Sequence, residues 1–448
     1  MGNKLNKMSF KKGFLALAVG ATLCGGAFAA DKTVVTLSRF FGSCEAQFGK
    51  ITDISKSSGE CGIITAMTNK FNADNPHIEV KTQVVEWTPY YDQLSARIVA
   101  KDIPAIAVMH EANLGDFVRR GLVEPLDDGF KAVGVDTSDF TPHAKRGVTF
   151  DSKTYALPFD THSWLWHMNL NLLKKAGLTH PDGTAMIPKT PEETYEFAKK
   201  FKAATGKPYF IWCLTNETAA YTRTFLTLLY QQGGNPFPKS EREINLHTPE
   251  AKKAIEFMAK LYAEGHIVPN NDYGASIQSF MRGDGGVMVN GTWLIGDLVD
   301  QSALAGAPLE KGYQAIPFAN LYGKPATWAD GHSWVMLKGG TKDEKTKQAA
   351  LRYLKFLSDN NGEWARTGQL PTSQKVISGT AFNALPFRTS IGVIAQNGIS
   401  LPPTIARQFR IQELLGEALG SIMLSKKPVD ETIKATEKRI NKMLAGVK

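Results

Sequence analysis

The eight tryptophans carry the clearest chemical signal in this chain of 448 residues. Several stand beside turn residues or short polar residues: Trp87 precedes Thr88-Pro89-Tyr90, Trp293 lies in NGTWL and Trp334 lies in DGHSW. An aromatic ring can pack against the C–H face of a sugar, while neighbouring Asp, Glu, His and Gln side chains hydrogen-bond its hydroxyls. The pattern indicates a carbohydrate-binding cleft, although tryptophans also fill cores, and Trp166 and Trp364 are typical of core residues.

Catalytic motifs are missing from the sequence. His110-Glu111 begins like a zinc-protease helix, but that motif requires a second His where Leu114 stands. There is no G-x-S-x-G nucleophile elbow, P-loop or paired Cys-x-x-Cys, and the nine histidines do not fall at metal-ligand spacings. We therefore expect no enzyme activity, no cofactor and no metal site. A secreted glycoside hydrolase stays open as an alternative, because its two carboxylates can lie far apart in the chain.

The first thirty residues are typical of an export signal. They contain four lysines and no acids, an apolar run from Phe14, and the small-x-small cleavage pattern Ala27-Phe28-Ala29. We expect cleavage near Ala29, release of an unlipidated chain into the periplasm, and no transmembrane helix. Removing the four lysines lowers the formal charge from +9 to +5. The remaining charge forms no cluster that requires an anionic partner, so nucleic acid is not expected to bind.

Three cysteines remain after the export signal. Cys44 and Cys61 flank a polar, turn-rich insert, and an oxidising compartment favours a disulfide between them. Cys213 lies in the apolar run YFIWCL and is interpreted as a buried, unreactive thiol.

The elements that must position these residues alternate between strand and helix. Residues 33–41 and 78–84 have strand patterns, residues 63–71 have a helix pattern, and residues 103–109 read as a buried parallel strand. This repeated β-α-β order predicts an α/β protein with a mostly parallel sheet. The length of the chain predicts two lobes.

Helix starts are marked by capping residues. Thr190 and Thr248 each precede a proline and a glutamate, and Thr341 with Glu344 forms a third predicted capping box. Apolar residues at 433, 440 and 444 predict a closing amphipathic helix.

Seven segments, taken in their order and spacing, resemble the extracellular solute-binding proteins that deliver carbohydrates to ABC importers. They read FNADNPHIEV, YYDQLSARIVAKDIPAI, YALPFDTHSWLWHMNLNLLKKAGL, PKTPEETYEFAKK, FMRGDGGVMVNGTW, DGHSWVMLKGG and GQLPTSQ. The resemblance covers essentially the whole mature chain. It implies two α/β lobes in a periplasmic-binding-protein fold, with the ligand held in the cleft between them, and a monomer that docks on membrane permease subunits.

The resemblance also implies three crossings between the lobes, near 160–164, 326–331 and 379–386. Residues 31–160 with 331–378 would form the N-terminal lobe, and residues 161–330 with 379–448 the C-terminal lobe. Residues 1–30 would be the signal peptide.

The family's ligand-contacting positions transfer to this chain one at a time. Some sit after strands or before helices, some at the crossings, and some are stacking aromatics. Glu45 follows the first strand, where the cysteine insert departs from the family pattern. The candidates are Glu45, Trp87, Tyr90, Glu111, Asp160, His162, Trp212, Trp293, Gly331, His332 and Gln369. Glu111 and Asp160 could instead have a structural role, as a helix cap or an inter-lobe salt bridge. His332 could equally be a hinge histidine whose hydrogen bonds are satisfied within the protein.

The nature of the ligand is the remaining question. Relatives that capture glycerol-phosphate compounds share several segments, but they keep an aromatic residue where this chain has Gln369. Glu111 and Asp160 are expected to repel an anion. The sequence therefore favours a neutral sugar, oligosaccharide or sugar alcohol, with a binder of glycerol-phosphate compounds as the alternative.

Overall fold

The computed structural model describes residues 32–87 and 89–447. The predicted export signal lies outside these residues. The described strands are β1 (Thr33–Arg39), β2 (Ile78–Val84), β3 (Ile106–His110), β4 (Thr149–Phe150), β5 (Lys153–Thr154), β6 (Leu157–Asn169), β7 (Phe210–Ile211), β8 (Val287–Gly291), β9 (Tyr313–Pro317), β10 (Ala329–Met336) and β11 (Leu370–Pro371).

Twenty α-helices occur in the same part of the chain. They are α1 (Glu45–Phe48), α2 (Gly59–Asp74), α3 (Tyr90–Val99), α4 (Glu111–Arg119), α5 (Asp127–Val133), α6 (Pro142–Val148), α7 (Leu170–Lys175), α8 (Pro191–Thr205), α9 (Ala219–Gln231), α10 (Pro249–Ala263), α11 (Tyr273–Met281), α12 (Ile295–Ala303), α13 (Glu344–Asp359), α14 (Asn361–Trp364), α15 (Gln374–Ser378), α16 (Thr380–Asn383), α17 (Arg388–Ile391), α18 (Ile394–Asn397), α19 (Gln408–Ser425) and α20 (Val429–Ala445). None of these helices combines the length and the apolar composition needed to cross a bilayer.

One mixed sheet runs through the molecule in the order β2-β1-β3-β10-β6-β8-β7, and β9 and β11 also pair with β6. β1 is parallel to β2 and β3, and β7 is parallel to β8, as the β-α-β pattern predicts. In contrast, β10 is antiparallel to both β3 and β6. The sheet is therefore less parallel than expected, because β6 and β10 carry the chain between the two halves in opposite directions.

Two lobes lie on either side of β6 and β10. The core of the first lobe combines buried residues from 35–159 with residues from 334–364. The second lobe contains two clusters, drawn from residues 164–329 and 365–444. Each lobe is thus assembled from separate stretches of sequence.

The segment around Gly368 contacts both lobes. Ala365 and Leu370 pack with Phe382 in the second lobe, whereas Trp364 belongs to the first. Gly368 adopts a φ of +117°, and a Cβ there would collide with the backbone of Thr292. The chain turns at this glycine, and just beyond it Ser373 and Gln374 hydrogen-bond Asp139 and Ser138 of the first lobe. The third crossing near 379–386 therefore stays a prediction.

The structure tests the predicted helix caps and the predicted states of the cysteines. Thr190 Oγ1 accepts a hydrogen bond from the amide of Glu193 (3.1 Å), and Thr248 Oγ1 caps α10 in the same way, so both predicted starts are confirmed. The predicted capping box of Thr341 is wrong. The carboxylate of Asp343 caps α13, because it stands directly before the helix and accepts from the amide of Thr346 (2.7 Å).

The disulfide between Cys44 and Cys61 is present, as predicted. It joins the segment after β1 to the first turn of α2. Cys213 is a buried free thiol, as expected, and burial raises its pKa to about 12.

Candidate functional site

A cavity of about 280 Å³ lies between the lobes, beyond the carboxyl ends of β1, β2 and β3. This edge is where open α/β sheets generally hold their ligands. Its walls come from both lobes and from the crossing strands. They are formed by Phe40, Phe41, Gly42, Glu60, Glu86, Trp87, His110, His162, Glu217, Arg223, Tyr273, Trp293, His332 and Gln369.

Trp293 forms an aromatic wall on the side of the second lobe. Its indole ring lies against Gly291, where a Cβ would occupy the position of the ring. The indole Nε1 donates to the hydroxyl of Tyr273 at 2.6 Å. The glycine and the hydrogen bond fix the orientation of the indole and leave it partly exposed to the cavity.

Trp87 forms the opposing aromatic wall, in the first lobe. Its ring centroid lies 5.2 Å from that of Phe40 and 4.7 Å from that of His110. Phe409 from the second lobe approaches the rings of Trp87 and Tyr91 to 6.0 and 5.2 Å. The two lobes are therefore in aromatic contact at one end of the cleft.

Three histidines lie side by side at the base of the cavity. His332 on β10 pairs directly with His110 at the end of β3. On its other side, His332 pairs with Asp160 of β6, and His162 lies two residues further along that strand. Directly opposed residues and residues two apart share one face of a sheet. One ring nitrogen of each histidine lies within 4.8 Å of those of the other two.

Asp160 lies behind two of these histidines and is fully buried. Its carboxylate accepts hydrogen bonds from Nδ1 of His332 (2.9 Å), Nδ1 of His162 (3.3 Å) and the indole of Trp364 (2.7 Å). Burial alone would raise the pKa of Asp160, but the interaction with His332 and these hydrogen bonds hold it below its usual value. Asp160 therefore orients the imidazoles and does not itself reach the cavity.

Burial shifts the protonation of all three imidazoles. It lowers the pKa of His162 to about 3 and holds the pKa of His110 well below its usual value, with the neighbouring histidines adding to the effect. Burial also disfavours the charged form of His332, but the carboxylate of Asp160 raises its pKa above the usual value. At neutral pH, His110 and His162 are therefore neutral.

Glu60 and Gln369 link the first lobe to the second at the cavity wall. Gln369 donates from Nε2 to Oε1 of Glu60 (2.7 Å), and its own Oε1 accepts from the hydroxyl of Thr292 (2.7 Å). Burial raises the pKa of Glu60 to about 7. These two hydrogen bonds orient the side-chain amide of Gln369, and Glu60 retains oxygen lone pairs for a hydroxyl group.

Arg223 is the one arginine among the residues that line the cavity. Its guanidinium carbon lies 5.5 Å from the ring centroid of Trp293, 5.4 Å from Trp164 and 4.8 Å from Trp328. Cation–π contacts of this kind hold a guanidinium in place without neutralising its charge. The cavity wall thus carries one fixed positive charge alongside the carboxyl groups of Glu60, Glu86 and Glu217.

Five of the candidates from the sequence line the cavity: Trp87, His162, Trp293, His332 and Gln369. Their contact with a ligand stays a prediction. Glu45, Tyr90, Glu111, Asp160, Trp212 and Gly331 do not line it.

Two aromatic candidates lie in the cores. The ring of Tyr90 is fully buried, and its hydroxyl donates to the carbonyls of Ser38 and Val108. The next residue, Tyr91, instead hydrogen-bonds His110 and lines a cavity adjoining the first. Trp212 packs in the core of the second lobe, 4% exposed. Both differ from expectation because helix register and tertiary packing, not sequence neighbours, decide which aromatic faces the cleft.

Glu45 is exposed on α1 and approaches Arg39 at 3.8 Å. The disulfide-linked insert turns it toward solvent, outside the cavity.

Glu111 and Gly331 lie behind the cavity wall. Gly331 makes room for Glu111, because a Cβ at Gly331 would lie 2.5 Å from Oε1 of Glu111. Burial, together with Asp330 and Asp160, raises the pKa of Glu111 well above its usual value, which favours its neutral form. Since Asp160 is paired with His332, neither carboxyl group repels an anion from the cavity, contrary to the expectation from the sequence.

Sequence reasoning missed several lining residues, among them Phe40, Phe41, Glu60, His110, Glu217, Arg223 and Tyr273. Phe40 and Phe41 end a strand pattern. Ligands of α/β sheets generally bind beyond the carboxyl ends of strands, so these two positions could have been predicted from the sequence. Arg223 and Tyr273 sit within or at the start of ordinary helices, where nothing in the sequence distinguishes them.

Comparisons with known proteins agree with this architecture. A family model described as bacterial extracellular solute-binding protein matches residues 66–386. The maltotriose-binding protein of Pyrococcus abyssi is 23% identical over 77% of this chain and 70% of the relative. The sn-glycerol-3-phosphate-binding periplasmic protein UgpB of Brucella melitensis is 24% identical over 72% of this chain and 75% of the relative.

Among solved structures, the GacH receptor of Streptomyces glaucescens, studied unliganded and with acarbose, matches with a TM-score of 0.76 and 18% identity. The alignment covers 93% of this chain and all of the receptor. This likeness supports the two-lobed fold.

Proposed function

This chain belongs to the bacterial extracellular solute-binding proteins, and we propose that it captures a neutral sugar or oligosaccharide between its lobes and delivers it to an ABC importer. The observation that carries this proposal is the pair of aromatic walls, Trp87 and Trp293, on opposite lobes of one cavity. Aromatic faces with polar groups between them suit a molecule that has both C–H faces and hydroxyls.

Polar groups at the cavity support a polyhydroxylated ligand. The carboxyl groups of Glu60, Glu86 and Glu217 can accept hydrogen bonds from hydroxyls, and the neutral imidazole of His162, whose Nδ1 donates to Asp160, can accept one at Nε2. Three carboxyl groups against one arginine give the wall no excess of positive charge. This balance favours a neutral ligand.

Movement of the lobes around the crossing strands follows from the same proposal. A ligand that contacts Trp87 and Trp293 at once binds more tightly when the lobes are together, so it shifts the population toward the closed form. We propose that the closed form presents the surface that docks on the permease from the periplasm. We propose the crossings near 160–164, 326–331 and 379–386 as the hinge.

A second candidate is a ligand with a phosphate or carboxylate group. Arg223 favours it, because its guanidinium faces the cavity and its side chain has no hydrogen bond to the other described residues. UgpB, one of the relatives, is named for binding sn-glycerol 3-phosphate.

A thermal-shift screen of the mature chain separates these candidates. The screen contains neutral oligosaccharides, sugar alcohols and glycerol phosphodiesters. A ligand present at a hundredfold excess over Kd stabilises the folded state by about 2.7 kcal/mol. We expect shifts with neutral sugars. Shifts with glycerol phosphodiesters alone would overturn the first proposal in favour of the second, and loss of a sugar over time would point to a hydrolase.

A further inference from the structure

The three histidines at the base of the cavity have an arrangement that sugar binding does not require. They come from three adjacent strands, and the sheet register places them on one face. One ring nitrogen of each lies within 4.8 Å of the others. The spacing of these residues along the chain, more than fifty residues between neighbours, matches no metal-binding motif.

Each imidazole is held through its Nδ1 atom. Nδ1 of His162 and of His332 pairs with the two oxygens of Asp160, at 3.3 and 2.9 Å. Nδ1 of His110 pairs with the hydroxyl of Tyr91 at 2.9 Å. Within residues 32–87 and 89–447, no hydrogen bond involves the Nε2 atoms of these three side chains, and all three residues border the cavity.

Histidines that bind metal ions generally have this arrangement. The ring nitrogen that does not bind the metal hydrogen-bonds a carboxylate or another polar group, which fixes the orientation of the ring. Asp160 adds a buried negative charge that offsets the charge of a cation.

We propose that His110, His162 and His332 bind a divalent transition-metal ion of the Zn²⁺ class through their Nε2 atoms. Zn–N distances of about 2.0–2.1 Å place tetrahedral ligands about 3.4 Å apart. One ring nitrogen of each histidine lies within 4.8 Å of those of the other two, so the three rings are near enough for rotation of the imidazoles to bring their Nε2 atoms toward one ion. The fourth position faces the cavity, where a water molecule or a hydroxyl of a ligand binds.

The metal site stands independently of the proposed sugar. It depends on the three imidazoles and their Nδ1 partners, and it is tested with the metal alone. A sugar titration on chelator-treated protein tests the proposed function separately, so failure of one proposal leaves the other standing.

The test is titration of the mature, untagged, chelator-treated chain with Zn²⁺ by calorimetry and with Co²⁺ by visible absorption. We expect one ion per chain and an absorption spectrum of tetrahedral Co²⁺. His110→Gln and His162→Gln should each abolish this stoichiometric binding. The matched control is His247→Gln, because His247 is exposed and outside the cluster, and it should bind like the unmodified chain.

Tyr91→Phe tests the Nδ1 partners without removing a ligand atom. It keeps the ring and removes only the hydroxyl that contacts His110, so it should weaken Zn²⁺ binding by about 10- to 100-fold. Circular dichroism and thermal unfolding verify that each variant is folded, and Tyr91→Phe remains informative if a histidine variant is not. Absence of stoichiometric binding by the unmodified chain, or equal binding by the cluster variants and the control, overturns the proposal.

Discussion

The indole Nε1 of Trp293 donates a hydrogen bond of 2.6 Å to the hydroxyl of Tyr273, and this contact holds the indole against the cavity. Trp293→Ala removes the proposed sugar platform. We expect a loss of sugar affinity of about 2 kcal/mol, near 30-fold, and only a modest change in the free energy of unfolding. Calorimetric titration and thermal unfolding of the variant measure the two quantities.

The matched control is Trp212→Ala, because Trp212 is a core residue of the same lobe. This variant should lose about 3–5 kcal/mol of stability and keep its sugar affinity. If Trp293→Ala behaved in this way instead, Trp293 would be a core residue and not a platform.

Arg223→Gln distinguishes a neutral ligand from an anionic one. Removing the guanidinium should weaken binding of a neutral sugar by less than about 10-fold. A ligand held by a charged hydrogen bond should lose about 1.5–3 kcal/mol. Kd values measured at low and high salt check the difference, since only the anionic ligand should show strong salt dependence. A large, salt-dependent loss would support the glycerol-phosphate alternative.

Replacing both Cys44 and Cys61 by serine should lower the melting temperature without abolishing ligand binding. The bridge closes a loop across a sequence separation of 17 residues, and such a loop contributes about 3 kcal/mol by restricting the unfolded chain. Calorimetry of the variant and of the reduced native chain should agree. Cys213→Ser is the control, since it removes a thiol but no bridge. Loss of binding in the serine variant would instead show that the bridge positions a cavity residue, with the adjacent Glu60 the first to examine.

His167 should make the folded state sensitive to acid. Its ring is fully buried between the hydroxyl of Tyr313 (2.8 Å) and the carbonyl of Gly291 (3.1 Å), and burial lowers its pKa to about 4. An unfolded histidine has a pKa of about 6.5, so below that pH the unfolded chain binds a proton that the folded chain does not. Stability is therefore lost as the pH falls from about 6.5 to 4.

His167→Gln should remove roughly 2 kcal/mol of the loss in unfolding free energy between pH 7 and pH 5. Urea denaturation at the two pH values measures it, and subtracting the curve of the exposed-site variant His180→Gln corrects for general effects. The idea fails if the histidine and glutamine proteins lose stability equally.

Local features of the fold could be predicted because they depend on neighbouring residues. The caps at Thr190 and Thr248 and the strand at 78–84 are examples. The third cap was misassigned because Asp343, closer to the helix, competes with Thr341.

The site was harder to predict, because its residues meet only in the folded chain. Trp212 and Trp293 look alike in sequence, yet one packs in a core and the other borders the cavity. The choice between Tyr90 and Tyr91 depends on a single step of helix register. The histidine cluster depends on the pairing of β3, β6 and β10, which no local pattern reveals.

The pairing of β10 with β3 also has a consequence for the order of folding. The hydroxyl of Ser333 donates to the carbonyl of Met109, 224 residues earlier in the chain. The chain is synthesised from its N terminus. Most of the second lobe is therefore made before β10 becomes available to complete the sheet of the first lobe. Contacts so distant in sequence slow folding, so we expect the first lobe to stay open to chaperones and proteases until synthesis and export are nearly complete.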